Sequence, residues 1–176
     1  LGHAGAEVAV GWLEEEARAL NPGFIARMER GLPYVRCKLA ASLDGRTAMA
    51  SGESKWITSE VARRDVQLLR ARSSAIVTGI KTLLADDPSM NVRLGADDLP
   101  GMDPGERVRQ PLRVLVDSRL RTPANARMIG LPGTTLIACV DQDPIHAMRM
   151  ESAGAKVYVC PESGGRVDLP SLFQYL

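Results

Sequence analysis

The chain has 176 residues with 22 basic and 21 acidic side chains, so its formal net charge is +1, and 45% of its residues are hydrophobic. This composition is typical of a globular protein with one sizeable core, and it excludes a strongly basic nucleic-acid surface and an acidic disordered tail. No apolar stretch reaches the roughly 18 residues that a membrane-spanning helix needs. We therefore expect a cytoplasmic protein that binds neither nucleic acid nor membrane.

The first 31 residues predict two short helices. Apolar side chains recur between residues 6 and 20, and a helix-ending Asn-Pro-Gly sequence follows. A second helix is expected over Phe24–Arg30, ended by Gly31. Because the chain begins with Leu1 and shows no signal-peptide pattern, we expect a piece of a longer polypeptide.

Residues 34–42 predict a β-strand, since their alternation places Val35, Cys37 and Leu39 on one face. A polar turn follows, and then a short extended piece is expected over residues 47–50.

The next segment predicts a helix, a strand and a short helix. The first helix runs from about Ser59 to Arg72, with Thr58 or Ser59 as its N-cap. Residues 75–78 form a continuous apolar run, which is typical of a strand buried on both faces. A short helix is expected over residues 80–85.

The second half of the chain predicts further strands and helices in alternation. Residues 95–111 are rich in Gly, Pro and Asp and predict a surface loop. Three strands are expected at 112–117, 135–140 and 156–160, and two helices at 144–153 and 169–176.

This alternation predicts an α/β fold with a mainly parallel sheet covered by helices. The last helix stops at the chain end without a cap, so we expect the domain to be truncated at its C-terminus.

The cysteines do not predict a metal site or a disulfide framework. Cys37, Cys139 and Cys160 lie far apart and form no C-x-x-C pair. A structural zinc site needs four Cys or His ligands in closely spaced pairs. We expect three reduced thiols and no metal.

Ligands of open parallel sheets bind beyond the carboxyl ends of the strands. Loops with hydroxyl groups, backbone amides or charges are expected there at residues 42–47, 78–88 and 117–119. The chain has neither a G-x-G-x-x-G fingerprint nor a P-loop. A phosphate-binding helix start over residues 78–82 remains an alternative.

Individual side chains suggest an anionic ligand. Arg70 and Arg93 could together hold a phosphate, because a guanidinium binds it bidentately. The pair Asp86-Asp87 allows either a magnesium site or a helix-end turn. Trp56 could stack on a planar ligand or simply pack. From the residues alone, the reaction stays unnamed.

Several consecutive motifs are more specific. In chain order they are KLAASLDGRTA (38–48), GESKWIT (52–58), RRDVQLLRA (63–71), TLLADDP (82–88) and RVLVDSRLRTP (113–123). Together they resemble the reductase half of the bacterial bifunctional riboflavin-biosynthesis deaminase/reductase family, the RibD type. Residues 11–31 resemble the tail of the family's deaminase half. The resemblance implies two parts, a deaminase tail and linker at 1–31 and an incomplete reductase domain at 32–176.

The resemblance implies a dihydrofolate-reductase-like fold that holds NADPH without the G-x-G-x-x-G fingerprint. It implies reduction of 5-amino-6-(5-phosphoribosylamino)uracil to its ribityl product in riboflavin biosynthesis. The alternatives are another NADPH reductase of this fold, or a truncated, non-catalytic assembly domain. The family also implies a homo-oligomer.

Matching motifs carry the family's site residues onto this chain. Lys38 and Asp86 are candidates to deliver the proton. The cofactor side is expected to include Ala40, Trp56, Thr82, Asp86 and Ser118, with Arg119 and Arg121 near the extra phosphate of NADPH. The substrate side is expected to include Lys38, Ser54, Arg70, Met90 and Arg93.

Two family features are missing from the sequence. The deaminase zinc signature, H-x-E with P-C-x-x-C, is absent, so zinc is expected only in a deaminase half that this chain lacks. The family's late glycine-rich segment has no counterpart, because Ser163-Gly164-Gly165 lies too early. We therefore expect weak cofactor binding or inactivity of this piece.

Overall fold

A computed structural model describes residues 2–54, 57–141 and 143–176. The chain divides into two compact units. One comprises Leu1–Cys37 and Phe173–Leu176, and the other comprises Lys38–Leu172.

The smaller unit contains a helical pair. Its helices are α1 (Glu14–Leu20) and α2 (Pro22–Arg30), and Arg18 Nη2 lies 2.6 Å from Glu29 Oε1 between them. The second helix ends at Gly31 in the left-handed conformation, as predicted. The first helix begins only at Glu14 because Leu13 has φ 54°, which interrupts the helical ladder. The predicted start near residue 6 is therefore wrong.

Residues 34–42 do not form the predicted strand. They have no regular structure, and the side chains of Val35 and Leu39 are 56% and 77% exposed. A strand needs a neighbour for its backbone hydrogen bonds, and no strand among the described residues pairs with this segment. Residues 47–50 are likewise irregular.

The larger unit is built on a parallel sheet in the order β1-β2-β3-β4. Its strands are β1 (Ala75–Gly79), β2 (Leu112–Val116), β3 (Thr135–Cys139) and β4 (Ala155–Val159). The connecting helices are α3 (Glu60–Ala71), which precedes β1, α4 (Ile80–Asp86), α5 (Arg127–Gly130) and α6 (Pro144–Ser152). The predicted α/β alternation is confirmed.

Three further elements lie after β4 in the chain. A two-stranded antiparallel hairpin, β5 (Glu162–Ser163) with β6 (Arg166–Val167), follows the sheet, and helix α7 (Leu169–Tyr175) comes last. The hairpin and α5 are too short to leave a periodic pattern, so the sequence did not predict them. No helix of the described segments has the length and apolarity to cross a membrane.

The core lies around the two central strands. All five residues of β3 are buried, and Val114 and Leu115 of β2 are inaccessible to solvent. Strand β1 stands at the sheet edge, and Val77 is 39% exposed. The prediction that β1 is buried on both faces is therefore wrong, because an apolar run alone does not distinguish an edge strand from a central one.

A buried cation holds the amino end of the sheet together. Arg113 in β2 is fully buried, and its guanidinium donates to Thr135 Oγ1 and to the carbonyls of Leu131, Pro132 and Gly133. Burial lowers the pKa of Arg113. These carbonyls belong to the turn that leads into β3, so one side chain fixes the start of two strands.

Replacing Arg113 with Ala should lower the free energy of unfolding by at least about 3 kcal/mol, because three carbonyls would lose their charged donor inside the protein. Urea unfolding measures this change. Arg109→Ala is the matched control, since exposed Arg109 donates to the carbonyl of Ser73 and to no other acceptor in the described segments. A loss below about 1 kcal/mol in Arg113→Ala would contradict this account.

Candidate functional site

The loop after β2 presents Ser118 at the carboxyl end of the sheet. The backbone amides of Val140 and Asp141, just past β3, both donate to the Ser118 carbonyl. The amide of Val167 in β6 donates to Ser118 Oγ at 3.1 Å. The hydroxyl donates to no acceptor among the described residues, so its proton is available to a ligand.

The same loop rests on a buried carboxylate. Asp117 is fully buried, and its Oδ2 accepts from Thr122 N at 2.8 Å and from Thr122 Oγ1 at 2.7 Å. Its Oδ1 is buried and has no hydrogen-bond partner in the described structure. Arg121 Nε lies 3.8 Å from that oxygen.

Ser54 and Asp86 lie close together, although 32 residues separate them. Ser54 Oγ donates to Asp86 Oδ1 at 3.5 Å, and Asp86 is exposed. The neighbouring Asp87 ends α4 at φ 39° and accepts from the amide of Arg127 at 2.9 Å. The pair Asp86-Asp87 thus forms the helix-end turn, one of the two predicted alternatives.

Arg70 and Arg93 are brought together without a carboxylate. Burial lowers the pKa of Arg70, and the positive charge of Arg93 lowers it further. Arg70 Nη1 donates to the carbonyl of Asn91 at 3.1 Å. Among the described residues, neither guanidinium has an acidic partner within ion-pair distance. Two cations that act on each other and lack an acidic partner are typical of a site that takes an anion.

Polar side chains position the segment that carries Arg93. Gln67, the one buried residue that α3 contributes, accepts from the amide of Arg93. Gln110 both accepts from the amide of Val92 and donates to its carbonyl. Met90 is buried in the core and has φ 51°, an uncommon conformation for a non-glycine residue.

The hydrogen bonds of the described residues place the predicted site residues in separate groups. Ser118 lies at the carboxyl end of β2, whereas the segment of Met90 and Arg93 is held by Gln110, which precedes β2. Lys38 and Thr82 are exposed and Ala40 is half-buried. Trp56 lies outside the described residues.

Three residues that support the site were not predicted as such. Gln67 and Gln110 are polar residues in a helix and a loop, and nothing in their local sequence distinguishes them from solvent-facing side chains. Asp117 was included only as part of its loop. Its position directly after a run of apolar residues, Val114–Val116, was the one available signal for its burial.

The comparison with known proteins identifies the family. Residues 33–176 match the family described as the RibD C-terminal domain. This chain belongs to that family. It is 46% identical to the riboflavin biosynthesis protein RibD of Escherichia coli over its whole length, and 52% identical to that of Haemophilus influenzae over 69% of its length. It covers 47% and 33% of those relatives, so it spans at most about half of their length.

Solved structures agree with this assignment. RibD of Acinetobacter baumannii superposes on the whole RibD-family chain with a TM-score of 0.81 at 43% identity, and the chain covers 45% of that protein. A Thermotoga maritima protein described as a diaminohydroxyphosphoribosylaminopyrimidine deaminase/5-amino-6-(5-phosphoribosylamino)uracil reductase superposes with a TM-score of 0.72 at 26% identity, over 93% of this chain and 41% of its own. The predicted family and fold class are confirmed.

The thiol at the end of β3 lies near the Ser118 loop. Burial raises the pKa of Cys139, and the charges of Asp117 and Asp141 raise it further. Burial also raises the pKa of Cys160. Cys37 is exposed.

Iodoacetamide at pH 8 should therefore alkylate Cys37 at least about tenfold faster than Cys139 or Cys160, because the thiolate is the reactive form and a raised pKa leaves less of it. Peptide mass spectrometry over a time course measures the three rates. In urea the three rates should converge. Equal rates in the folded chain would show that Cys139 is accessible and would contradict the burial described for the end of β3.

Proposed function

We propose that this chain is the reductase part of a bifunctional riboflavin-biosynthesis enzyme and reduces 5-amino-6-(5-phosphoribosylamino)uracil with NADPH in the cytoplasm. The observation that carries the proposal is the Arg70–Arg93 pair: the charge of Arg93 acts on Arg70, and neither has a carboxylate partner among the described residues. Family membership supplies the reaction class, and the arginine pair supports a phosphorylated substrate.

Arg70 and Arg93 would hold the substrate phosphate. A phosphate dianion would relieve the repulsion that lowers the pKa of Arg70. Hydrogen bonds hold both residues in place before the phosphate binds. The Arg70 side chain donates to the Asn91 carbonyl, and the backbone amide of Arg93 donates to Gln67. Such preorganisation reduces the entropy that binding costs. Buried Met90 would give an apolar wall.

Ser54, Asp86 and Lys38 would act near the sugar. Ser54 and Asp86 are hydrogen-bonded, so they can orient a ribose hydroxyl together. Reduction at C1′ of the opened sugar forms a new C–H bond and needs one proton on the nitrogen or oxygen that receives the electron pair. Asp86 and Lys38 are the candidate donors of this proton.

NADPH would supply the hydride. Ser118 fits a cofactor phosphate or ribose because its hydroxyl accepts from Val167 and keeps a proton to donate. Thr82 is exposed just after β1, and half-buried Ala40 would approach the cofactor through its backbone. Trp56 and Asp86 complete the proposed cofactor side. Orientation and electrostatics would be the protein's main contributions.

The proposal extends to the chain's organisation. Residues 1–31 would be the tail and linker of a deaminase domain, and residues 32–176 would belong to the reductase domain. Zinc would be bound only by the deaminase half. A homo-oligomer is the proposed assembly.

Arg70→Met and Arg93→Met should each raise KM for the phosphorylated substrate by about tenfold or more, because each removes a charged donor to the phosphate. KM for NADPH should change little. Steady-state kinetics of the bifunctional polypeptide measures both values. Arg64→Met is the matched control, since Arg64 lies on the same helix but pairs with Asp98 at 2.7 Å.

The alternatives give different results in the same experiment. Equal turnover of the substrate without its phosphate would favour another dihydrofolate-reductase-like reductase. Titration of this chain with NADPH and NADH tests the cofactor separately. If neither NADPH nor NADH binds to this chain or to the bifunctional polypeptide, the result would favour a non-catalytic assembly domain.

A further inference from the structure

We infer that Asp117 and Thr122 form a buried clamp that positions Ser118 for the cofactor, which makes Asp117 and Thr122 positioning residues of the reductase site. The inference rests on the proposed function, because it takes Ser118 as a cofactor contact. Neither clamp residue contacts solvent, so both act through the loop between them.

The clamp closes a tight loop. Residues 117–122 leave the carboxyl end of β2, and both Thr122 donors return to one oxygen, Asp117 Oδ2, at 2.8 and 2.7 Å. The amide of Leu120 donates to the Asp117 carbonyl, and Leu120 has φ 48° while its side chain is buried. A non-glycine residue in this conformation costs free energy, so the loop needs anchors at both ends.

Burying the Asp117 carboxylate in this loop carries a desolvation cost. A carboxylate without solvent loses its hydration, and one of its two oxygens has no hydrogen-bond partner in the described structure. Arg121 Nε, at 3.8 Å, is the nearby positive charge. Both donors of Thr122 converge on Asp117 Oδ2, so this buried oxygen ties the two ends of the loop together.

The geometry reaches Ser118 directly. Ser118 follows Asp117 in sequence, and three amides from two other segments converge on it, those of Val140, Asp141 and Val167. The convergence fixes both its carbonyl and its hydroxyl oxygen. The hydroxyl proton of Ser118 has no acceptor among the described residues, so it is available to a ligand. Opening the clamp would displace Ser118 relative to β3 and β6 without changing any residue that contacts substrate.

Thr122→Val tests the clamp by removing one donor at nearly constant volume. In the bifunctional polypeptide we expect KM for NADPH to rise about five- to tenfold, while KM for the phosphorylated substrate stays within about twofold. Thr122→Ser restores the hydroxyl and should restore KM for NADPH. Thr135→Val is the matched control, because Thr135 is another buried threonine with a bonded hydroxyl but lies at the amino end of β3.

Ser118→Ala separates the inference from the proposed function. If Ser118→Ala raises KM for NADPH and Thr122→Val behaves like Thr135→Val, the clamp inference is overturned and the proposed function stands. If Ser118→Ala leaves KM for NADPH unchanged, Ser118 is not a cofactor contact, and the inference falls with that part of the proposal. Asp117→Asn keeps an oxygen that can accept both Thr122 donors, so a large NADPH effect in that variant alone would show a role of charge rather than positioning.

Hydrogen exchange gives a readout that needs neither activity nor a folded variant. In the unsubstituted chain, the amides of Thr122, Asp141 and Val167 should be protected about as strongly as those of β2. Rapid exchange of the Thr122 amide would show that the clamp is open in solution and would overturn the inference.

Discussion

Strand β2 carries a buried charged side chain at each end, and the loops that surround the sheet are built on these two charges. Arg113 at the amino end donates to three carbonyls of the turn before β3, and Asp117 beyond the carboxyl end accepts from Thr122. Four residues of extended chain span about 13 Å, so the two charges are too far apart to form an ion pair. Each must be satisfied by its own loop, and each loop is thereby fixed to the centre of the sheet.

The buried arginine of β2 and the Arg70–Arg93 pair differ in how the fold neutralises their charge. The buried guanidinium of Arg113 donates to one hydroxyl and three neutral carbonyls, and it is inaccessible to solvent and so to a ligand. Arg70 and Arg93 have no carboxylate in the described structure and repel one another. A bound phosphate would stabilise the Arg70–Arg93 pair more than Arg113, because it would neutralise charges that the fold leaves uncompensated.

Polar tethers add to apolar packing in holding the segment that carries Arg93, where Met90 and Val92 are buried. Gln67 and Gln110 bond to the backbone of residues 92 and 93, and only one residue of α3 is buried. Neutral amide tethers can hold a cationic segment without supplying the negative charge that would compete with an anionic ligand. The segment is therefore positioned and remains positively charged.

The sequence by itself determined the family and most of the local elements. Apolar runs, the Ser59 cap and Gly31 located α2, α3 and the four strands to within about two residues, because these signals act over one turn or one strand. Motifs such as TLLADDP and RVLVDSRLRTP located the candidate site residues along the chain. Those motifs give positions along the chain, not distances in space. The structure shows that Ser54 lies near Asp86 and that the charge of Arg93 acts on Arg70.

Only the tertiary structure decided which elements were buried and which polar groups met. Residues 34–42 alternate like a strand, yet they stay exposed because strand formation depends on a neighbour that local sequence cannot supply. β1 is as apolar as a central strand but stands at the edge. The burial of Asp117 and its bonds to Thr122 likewise depend on β3, β6 and the core around them, since a carboxylate is held inside a protein only where donors converge on it.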